Sequence, residues 1–159
     1  MPNMKKLLVV LSFCLAPVFA WAETPIFEAD KALQTNARKW AEEFIEFTKG
    51  THELQLDFSL QSIKYLDDIA NDLHQTYVAE KPPEEQVIPV ARALGSYLAE
   101  VYRIFNGGSW GWVELESGSF PGIQTTKGSH LLPLAKSLDR IKTGTDPDLW
   151  EYFQLMTQQ

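Results

Sequence analysis

The 159-residue chain carries 14 Lys and Arg against 21 Asp and Glu, so its formal net charge is −7. An acidic balance offers no electrostatic footprint for nucleic acid and no basic stripe for anionic lipid. The length fits a single domain with an ordinary apolar core, so we expect one small soluble domain that does not bind nucleic acid.

The first 22 residues have the parts of a cleavable secretory signal. Lys5 and Lys6 precede an apolar run over residues 7–15, and Ala20-Trp21-Ala22 offers small residues at both recognition positions of a cleavage site. The run has roughly half of the ~20 residues that a membrane span needs. We therefore predict a signal peptide over residues 1–22, a mature domain over residues 23–159, and export to the periplasm, with secretion as the alternative.

Cleavage at this site changes the composition of the mature chain. It removes two lysines and Cys14, the only cysteine, which leaves 12 basic against 21 acidic residues and a net charge of −9. No disulfide can then form, so the fold must depend on its core. The acidic surface favours solubility or a basic partner.

Apolar periodicity predicts five helices along the mature chain. The predicted ranges are 28–49, 59–77, 88–105, 131–142 and a last helix after residue 146.

Capping residues indicate where these helices begin and end. We expect Gly50 to end the first helix and Ser59 to cap the second. Pro89 is expected in the first turn of the third helix, Gly144 at the end of the fourth, and Asp146 with Pro147 at the start of the fifth.

A β-hairpin is predicted between the third and fourth helices. Residues 109–115 and 119–124 flank a Glu116-Ser117-Gly118 turn, and Pro121 limits the second strand to a sheet edge. Residues 53–57 are either a short strand or an extended connector. The predicted fold class is a helix-rich α+β domain with five helices and one small antiparallel hairpin.

The histidine pattern predicts no metal site and no cofactor. His52, His74 and His130 lack the i,i+4 spacing of a metal-binding helix, and the mature chain has no cysteine to join them. His74 shares one helical face with Asp67 and Asn71. That face is either a weak divalent-cation site or, by preference, an exposed polar face.

An acidic stretch lies on the same helix at Asp67, Asp68 and Asp72. Asp68 and Asp72 stand at i,i+4, where like charges repel by a few tenths of a kcal/mol. The stretch is either a solvated face, which we favour, or an acidic surface for a basic partner.

Glu100 is a carboxylate at the margin of the apolar stripe of the third helix, with Arg103 one turn further on. It could be paired with Arg103, hydrogen-bonded to an indole or tyrosine, or act as a general acid or base in a cleft. We predict the structural role, because carboxylate chemistry normally needs a second positioned acid.

Trp110 and Trp112 follow Gly107-Gly108 at the start of the first predicted strand. Indoles stack on sugar rings, fill protein hot spots or pack in a core. Alternation places both on one strand face, and we expect at least one in the core. Ser109 does not fit a nucleophile elbow, because that motif connects a strand to a following helix, whereas Ser109 follows a predicted helix and begins a predicted strand.

Several short motifs, in this order, resemble a family of small bacterial domains of unknown function. They are Leu56-Asp57-Phe58-Ser59, Leu66-Asp67, Gly95-Ser96-Tyr97-Leu98-Ala99-Glu100-Val101 and Gly107-Gly108-Ser109-Trp110. The resemblance covers about residues 54–153 and implies an α+β fold without an established activity. It nominates Asp57, Ser59, Tyr97, Glu100 and Trp110 as positions to test.

The sequence contains no recognisable combination of catalytic residues. We therefore predict a non-enzymatic exported protein that binds another protein of the envelope. It could act as an inhibitor or as an immunity factor. The alternative is a cell-wall glycan-binding module built on Trp110 and Trp112, and a less favoured one is a hydrolase that uses Glu100. The candidate functional or structural cluster comprises Asp57, Ser59, Tyr97, Glu100, Arg103, Trp110 and Trp112.

Overall fold

A computed structural model describes residues 25–51, 56–144 and 148–158 of the chain. The predicted signal peptide, His52, residues 53–55 and the predicted cap at Asp146 and Pro147 lie outside the described residues. Within them the chain forms five α-helices and a four-stranded antiparallel sheet, so the predicted α+β class is confirmed.

One strand precedes the first three α-helices, three further strands follow them, and two α-helices come last. In chain order they are β1 (Ile26–Ala29), α1 (Lys31–Thr51), a 3₁₀ helix (Gln61–Tyr65), α2 (Leu66–Glu80), α3 (Glu84–Asn106), β2 (Ser109–Leu115), β3 (Gly118–Gln124), β4 (His130–Leu131), α4 (Pro133–Thr143) and α5 (Leu149–Gln158). The strand order is β1-β2-β3-β4, with each neighbouring pair antiparallel. The predicted two-stranded hairpin is therefore the centre of a larger sheet.

The boundary between β1 and α1 lies at Asp30, two residues after the predicted helix start. The Asp30 Oδ1 atom accepts hydrogen bonds from the N–H groups of Ala32 (2.8 Å) and Leu33 (3.0 Å), which caps α1. The Asp30 N–H group donates to the Trp110 carbonyl at 2.9 Å. Asp30 therefore ends a strand and begins a helix, and a strand of four residues is too short to show its own periodicity.

Other helix boundaries also differ from the prediction: α2 begins at Leu66 rather than at residue 59, and α4 begins at Pro133 rather than at residue 131. Helix α1 runs through Gly50 to Thr51, and α3 begins at Glu84, so Pro89 is its sixth residue rather than part of its first turn. Pro83 fixes an extended N-cap, and the acids Glu84 and Glu85 favour the positive end of the helix dipole. Pro89 cannot donate an N–H group within the helix, and the burial of α3 from Leu94 to Tyr102 stabilises the helix despite that loss.

Pro121 lies within β3, which is not an edge strand. Strand β3 pairs with β2 along its whole length and with β4 at Ile123 and Gln124. Pro121 lies outside the stretch of β3 that pairs with β4, so its missing N–H group does not interrupt that ladder.

Helix α3 is the central element of the core. Its residues from Leu94 to Tyr102 are all buried, which is typical of a helix enclosed by neighbours. It packs against α1 on one side and α4 on another. At Gly95 a Cβ atom would come within 2.6 Å of the Pro133 carbonyl oxygen, so the close approach of α4 requires glycine there.

The predicted polar face of α2 connects α2 to α4 and α5. Asp67 Oδ1 and Oδ2 accept hydrogen bonds from the N–H groups of Leu149 (2.7 Å) and Trp150 (2.9 Å), so a carboxylate on α2 caps α5. Asn71 Oδ1 accepts from the buried Arg140, and His74 Nδ1 donates to the Ile141 carbonyl. Asn71 is exposed, whereas Asp67 and His74 are partly buried, so the predicted exposed face is exposed only in part. These side chains also bond to helix ends that come from elsewhere in the chain.

The described ranges hold no group of three or more His, Cys, Asp or Glu placed to bind a metal ion. No helix among them is long and apolar enough to cross a membrane.

Replacing Asp67 with alanine should lower the free energy of unfolding by about 2 kcal/mol. The N–H groups of Leu149 and Trp150 lose their acceptor and Arg140 loses an anionic partner, while Asp148 still accepts from the Glu151 N–H group. The measurement is denaturant unfolding of the mature chain. The matched control is Asp68→Ala, since Asp68 is exposed in the same turn and should change stability by less than about 0.5 kcal/mol. Equal losses in both variants would contradict the cross-helix cap.

Candidate functional site

Glu100 has 0% exposure and accepts several hydrogen bonds at the interface of α3 with the sheet. Its Oε1 atom accepts from Trp110 Nε1 (2.8 Å) and Arg103 Nε (2.9 Å), and its Oε2 atom accepts from Arg103 Nη2 (3.0 Å). Arg38 on α1 brings Nη1 to 3.9 Å from Oε2. One buried carboxylate therefore connects α3, β2 and α1.

The Gly107-Gly108 turn places Trp110 against Glu100. Gly107 ends α3 with φ +77°, and Gly108 has φ +109°, both in the region that disfavours residues with a side chain. A Cβ atom at Gly108 would lie 2.8 Å from the Gln124 carbonyl oxygen. The two glycines therefore allow a tight turn after α3, and this turn brings the Trp110 indole of β2 back against Glu100 on α3.

The bonding of Glu100 favours the predicted structural role. The hydrogen bonds that Arg103 donates to Glu100 raise the pKa of Arg103, so this guanidinium is charged. Both carboxylate oxygens already have donors, and the group has no solvent-exposed surface. A general acid or base must instead reach a proton on substrate, so the hydrolase alternative gains no support here.

Tyr97 organises a second polar cluster, one turn before Glu100 on α3. The Phe58 N–H group donates to the Tyr97 hydroxyl at 2.9 Å, and Phe58 has φ +60°, an unfavourable conformation for a bulky residue. Ser62 Oγ donates to the Ser59 carbonyl at 2.6 Å, so the Tyr97 hydroxyl donates to Ser62 Oγ. The tyrosine therefore holds a strained turn in place.

Asp57 and Ser59 belong to this turn. Asp57 Oδ1 accepts from the Ser59 N–H group at 3.0 Å, and hydrogen bonds from Ser59 lower the pKa of Asp57. Ser59 Oγ accepts from the Ser62 N–H group in the first turn of the 3₁₀ helix that precedes α2, whose N-cap residue is Leu60. These sequence-predicted positions lie together and make local structural contacts.

Arg38 joins the two clusters. Its guanidinium lies 4.0 Å from the centre of the Phe58 ring, and that ring stacks on Tyr97 at 5.0 Å between centroids. The same guanidinium approaches Glu100. The sequence analysis missed Arg38 because the residues it contacts come from segments far away in the chain.

Trp110 and Trp112 occupy different environments. Trp110 is 1% exposed, whereas Trp112 is 36% exposed and its Nε1 atom donates to Asp30 Oδ2 at 3.0 Å. The hydrogen bond that Asp30 accepts from the Leu33 N–H group lowers the pKa of Asp30 the most, and the bond from the Trp112 indole lowers it further. The predicted core role is confirmed for Trp110. Of these two indoles, only that of Trp112 is exposed enough to stack on a sugar ring.

Near Arg38 and Arg103, the surface forms an open groove of about 390 Å³. Its lining residues are Gln34, Thr35, Arg38, Lys39 and Arg103. We call it the cationic groove.

A second groove lies towards the other ends of α1 and α3, against α2. It consists of two concavities of about 220 and 180 Å³ that share Phe47 and Val90. The other apolar lining side chains are Phe44, Leu73, Tyr77, Val87, Ala93 and Ile141, together with Pro82 and Pro89. We call it the apolar groove.

The apolar groove is not predictable from the sequence, because Phe47 lies in the apolar stripe of the first predicted helix and the stripe predicts a buried side chain. Phe47 is 47% exposed, and Ala41 is buried on the same helix. Helical periodicity identifies the apolar face but not how far neighbouring elements cover each of its side chains.

In comparisons with known proteins, no family model, no curated protein and no solved structure matches the chain. The resemblance to a family of small bacterial domains therefore stays a prediction.

Glu100→Gln should lower the free energy of unfolding by about 3 kcal/mol, because the partly buried Arg103 loses its anionic partner. Chemical denaturation monitored by tryptophan fluorescence measures this loss. Glu42→Gln is the control, since Glu42 pairs with Arg38 on the surface and should contribute less than about 1 kcal/mol. A Glu100→Gln variant as stable as the control would refute the structural role.

Tyr97→Phe should reduce the loss of stability that accompanies alkaline pH. Burial raises the pKa of Tyr97, so the folded state favours the neutral phenol. That contribution is present below the unfolded pKa of about 10 and is lost as pH rises through the folded pKa. Unfolding free energies measured from neutral pH upwards should therefore fall less steeply in Tyr97→Phe than in the wild type, and identical slopes would contradict this assignment.

Proposed function

We propose that the protein is a non-catalytic, exported protein that binds another protein of the envelope, as an inhibitor or immunity factor would. The sequence pattern of residues 1–22 supports export. The apolar groove is the observation that carries the proposed binding function.

The apolar groove has the form of a site for a helical or extended segment. Helices α1, α2 and α3 all contribute to its walls, and Phe47 and Val90 line both of its concavities, which are therefore adjacent. Amphipathic segments bind such grooves by inserting apolar side chains at helical spacing. A half-exposed phenylalanine in the floor is the kind of aromatic anchor on which protein interfaces depend.

Charge indicates which segment would fit. Glu43 and Glu80 line the apolar groove, and its described lining residues include no Lys or Arg. The predicted mature chain is acidic as a whole, so a basic partner would also be attracted at long range. The proposed occupant is therefore a segment of a partner protein that carries Lys or Arg beside its apolar residues.

The two alternatives have weaker support. A glycan site would depend on Trp112 alone, because Trp110 is buried beneath the sheet. A hydrolase would need Glu100 to release the donors that hold it, and Arg103 bonds both of its oxygens.

Photo-crosslinking in envelope extract tests the site directly. A photoreactive residue in place of Gln86, which lines the groove, should give a discrete adduct, whereas the same residue in place of the exposed Gln154 should not. Mass spectrometry of the adduct should identify a basic, apolar partner segment.

A pair of phenylalanine variants distinguishes binding in the apolar groove from non-specific hydrophobic association. Phe47→Asp should reduce the adduct at least about 10-fold. Phe105→Asp is the matched control, because Phe105 is 52% exposed outside the groove and its replacement should leave the adduct unchanged. No adduct at Gln86, or equal adducts at both photoreactive positions, would contradict the proposed function.

A further inference from the structure

We propose that the cationic groove is a separate site for a small anionic ligand, whose carboxylate or phosphate oxygens are bound by Arg38, Lys39 and Arg103. This inference is independent of the apolar groove, which lies at the opposite ends of α1 and α3. It uses none of the residues proposed to bind the partner protein.

Arg103 is held in a fixed orientation before any ligand binds. Its Nε and Nη2 atoms donate to the two oxygens of Glu100, whose Oε1 atom also accepts from the buried Trp110 indole. Nη1 is not used by this pair and carries two N–H donors. A ligand would therefore not have to restrict the movement of a long side chain, which lowers the entropic cost of binding.

Arg38 is fixed by different contacts. Its guanidinium stacks over the Phe58 ring at 4.0 Å, and its Nε atom donates to Glu42 at 2.8 Å. The Phe58 ring is in turn positioned by Tyr97. The stack leaves the guanidinium plane with further donors at its edge, which is the geometry that binds carboxylate and phosphate.

The local charge balance favours an anion. The described lining of the groove contains three cationic side chains and no acid, in a chain that is acidic overall. Glu100 and Glu42 pair with the two arginines, whereas Lys39 has no hydrogen bond or ion pair among the described residues. One positive charge is therefore uncompensated beside two oriented guanidinium groups.

The shape of the groove sets the size of the ligand. Its volume of about 390 Å³ falls within the range of about 300–1,000 Å³ that is typical of small-molecule sites. Gln34 adds a neutral amide that can donate or accept. A small organic acid or a phosphate monoester has both the charge and the size for this site.

Titration of the full mature chain with two probes, followed by NMR of backbone amides and arginine Nε–H groups, tests the proposal. Citrate or inorganic phosphate should shift resonances of residues 34–39 and Arg103 saturably, in the millimolar range or tighter, beyond any shift from sodium chloride at equal ionic strength. Saturation by citrate alone assigns a carboxylate ligand, and saturation by phosphate alone assigns a phosphate.

Lysine variants provide the decisive comparison. Lys39→Gln should weaken binding about 10-fold, since a charge-assisted contact is lost while the arginine contacts to Glu100 remain. Lys49→Gln removes the same charge from the other end of α1, where Lys49 pairs with Glu46, and should leave binding unchanged. No saturable shift with either probe, or equal weakening in both variants, would overturn the proposal.

Discussion

A charged carboxylate with no solvent exposure has to be compensated inside the protein, because removing an ion from water costs several kcal/mol. At Glu100 the compensation comes from the Arg103 guanidinium and the Trp110 indole, with Arg38 nearby. These donors belong to α3, β2 and α1, so satisfying one charge fixes how the sheet approaches the helices. The turn at Gly107-Gly108, where both residues have positive φ, allows β2 to bring Trp110 back to Glu100.

The two grooves follow from the way α1 and α3 pack. The two helices are antiparallel, since Arg38 approaches Glu100 whereas Phe47 and Val90 line one groove at the opposite end. Near Glu100, the arginines that neutralise it also reach the surface and make that end cationic. At the other end α2 covers the helix pair incompletely and leaves an apolar concavity edged by Glu43 and Glu80. One helix pair thus presents two surfaces of opposite chemical character.

The sequence predicted the helices and the central hairpin because their periodicity is local. It also identified Glu100, Arg103 and Trp110, which lie within eleven residues of one another around a glycine turn. Contacts between distant segments were not predictable. Nothing local indicates that Asp67 caps α5, that Arg38 stacks on Phe58, or that β1 joins the sheet beside β2.

Exposure was the least predictable property of single side chains. Phe47 and Phe105 each continue an apolar helical stripe, yet both are about half exposed. The stripe fixes the direction in which a side chain points, but burial depends on whether another element lies there. For Phe47 the difference matters, because an apparent core residue becomes the floor of the apolar groove.

The central claim is that Glu100 and its donors act as one structural unit. A double-mutant cycle of Glu100→Gln and Trp110→Phe, measured by denaturant unfolding, tests this most directly. Because these side chains bond directly, we predict a coupling energy of about 1 kcal/mol or more. Additive effects of the two substitutions, with a coupling energy near zero, would contradict the claim.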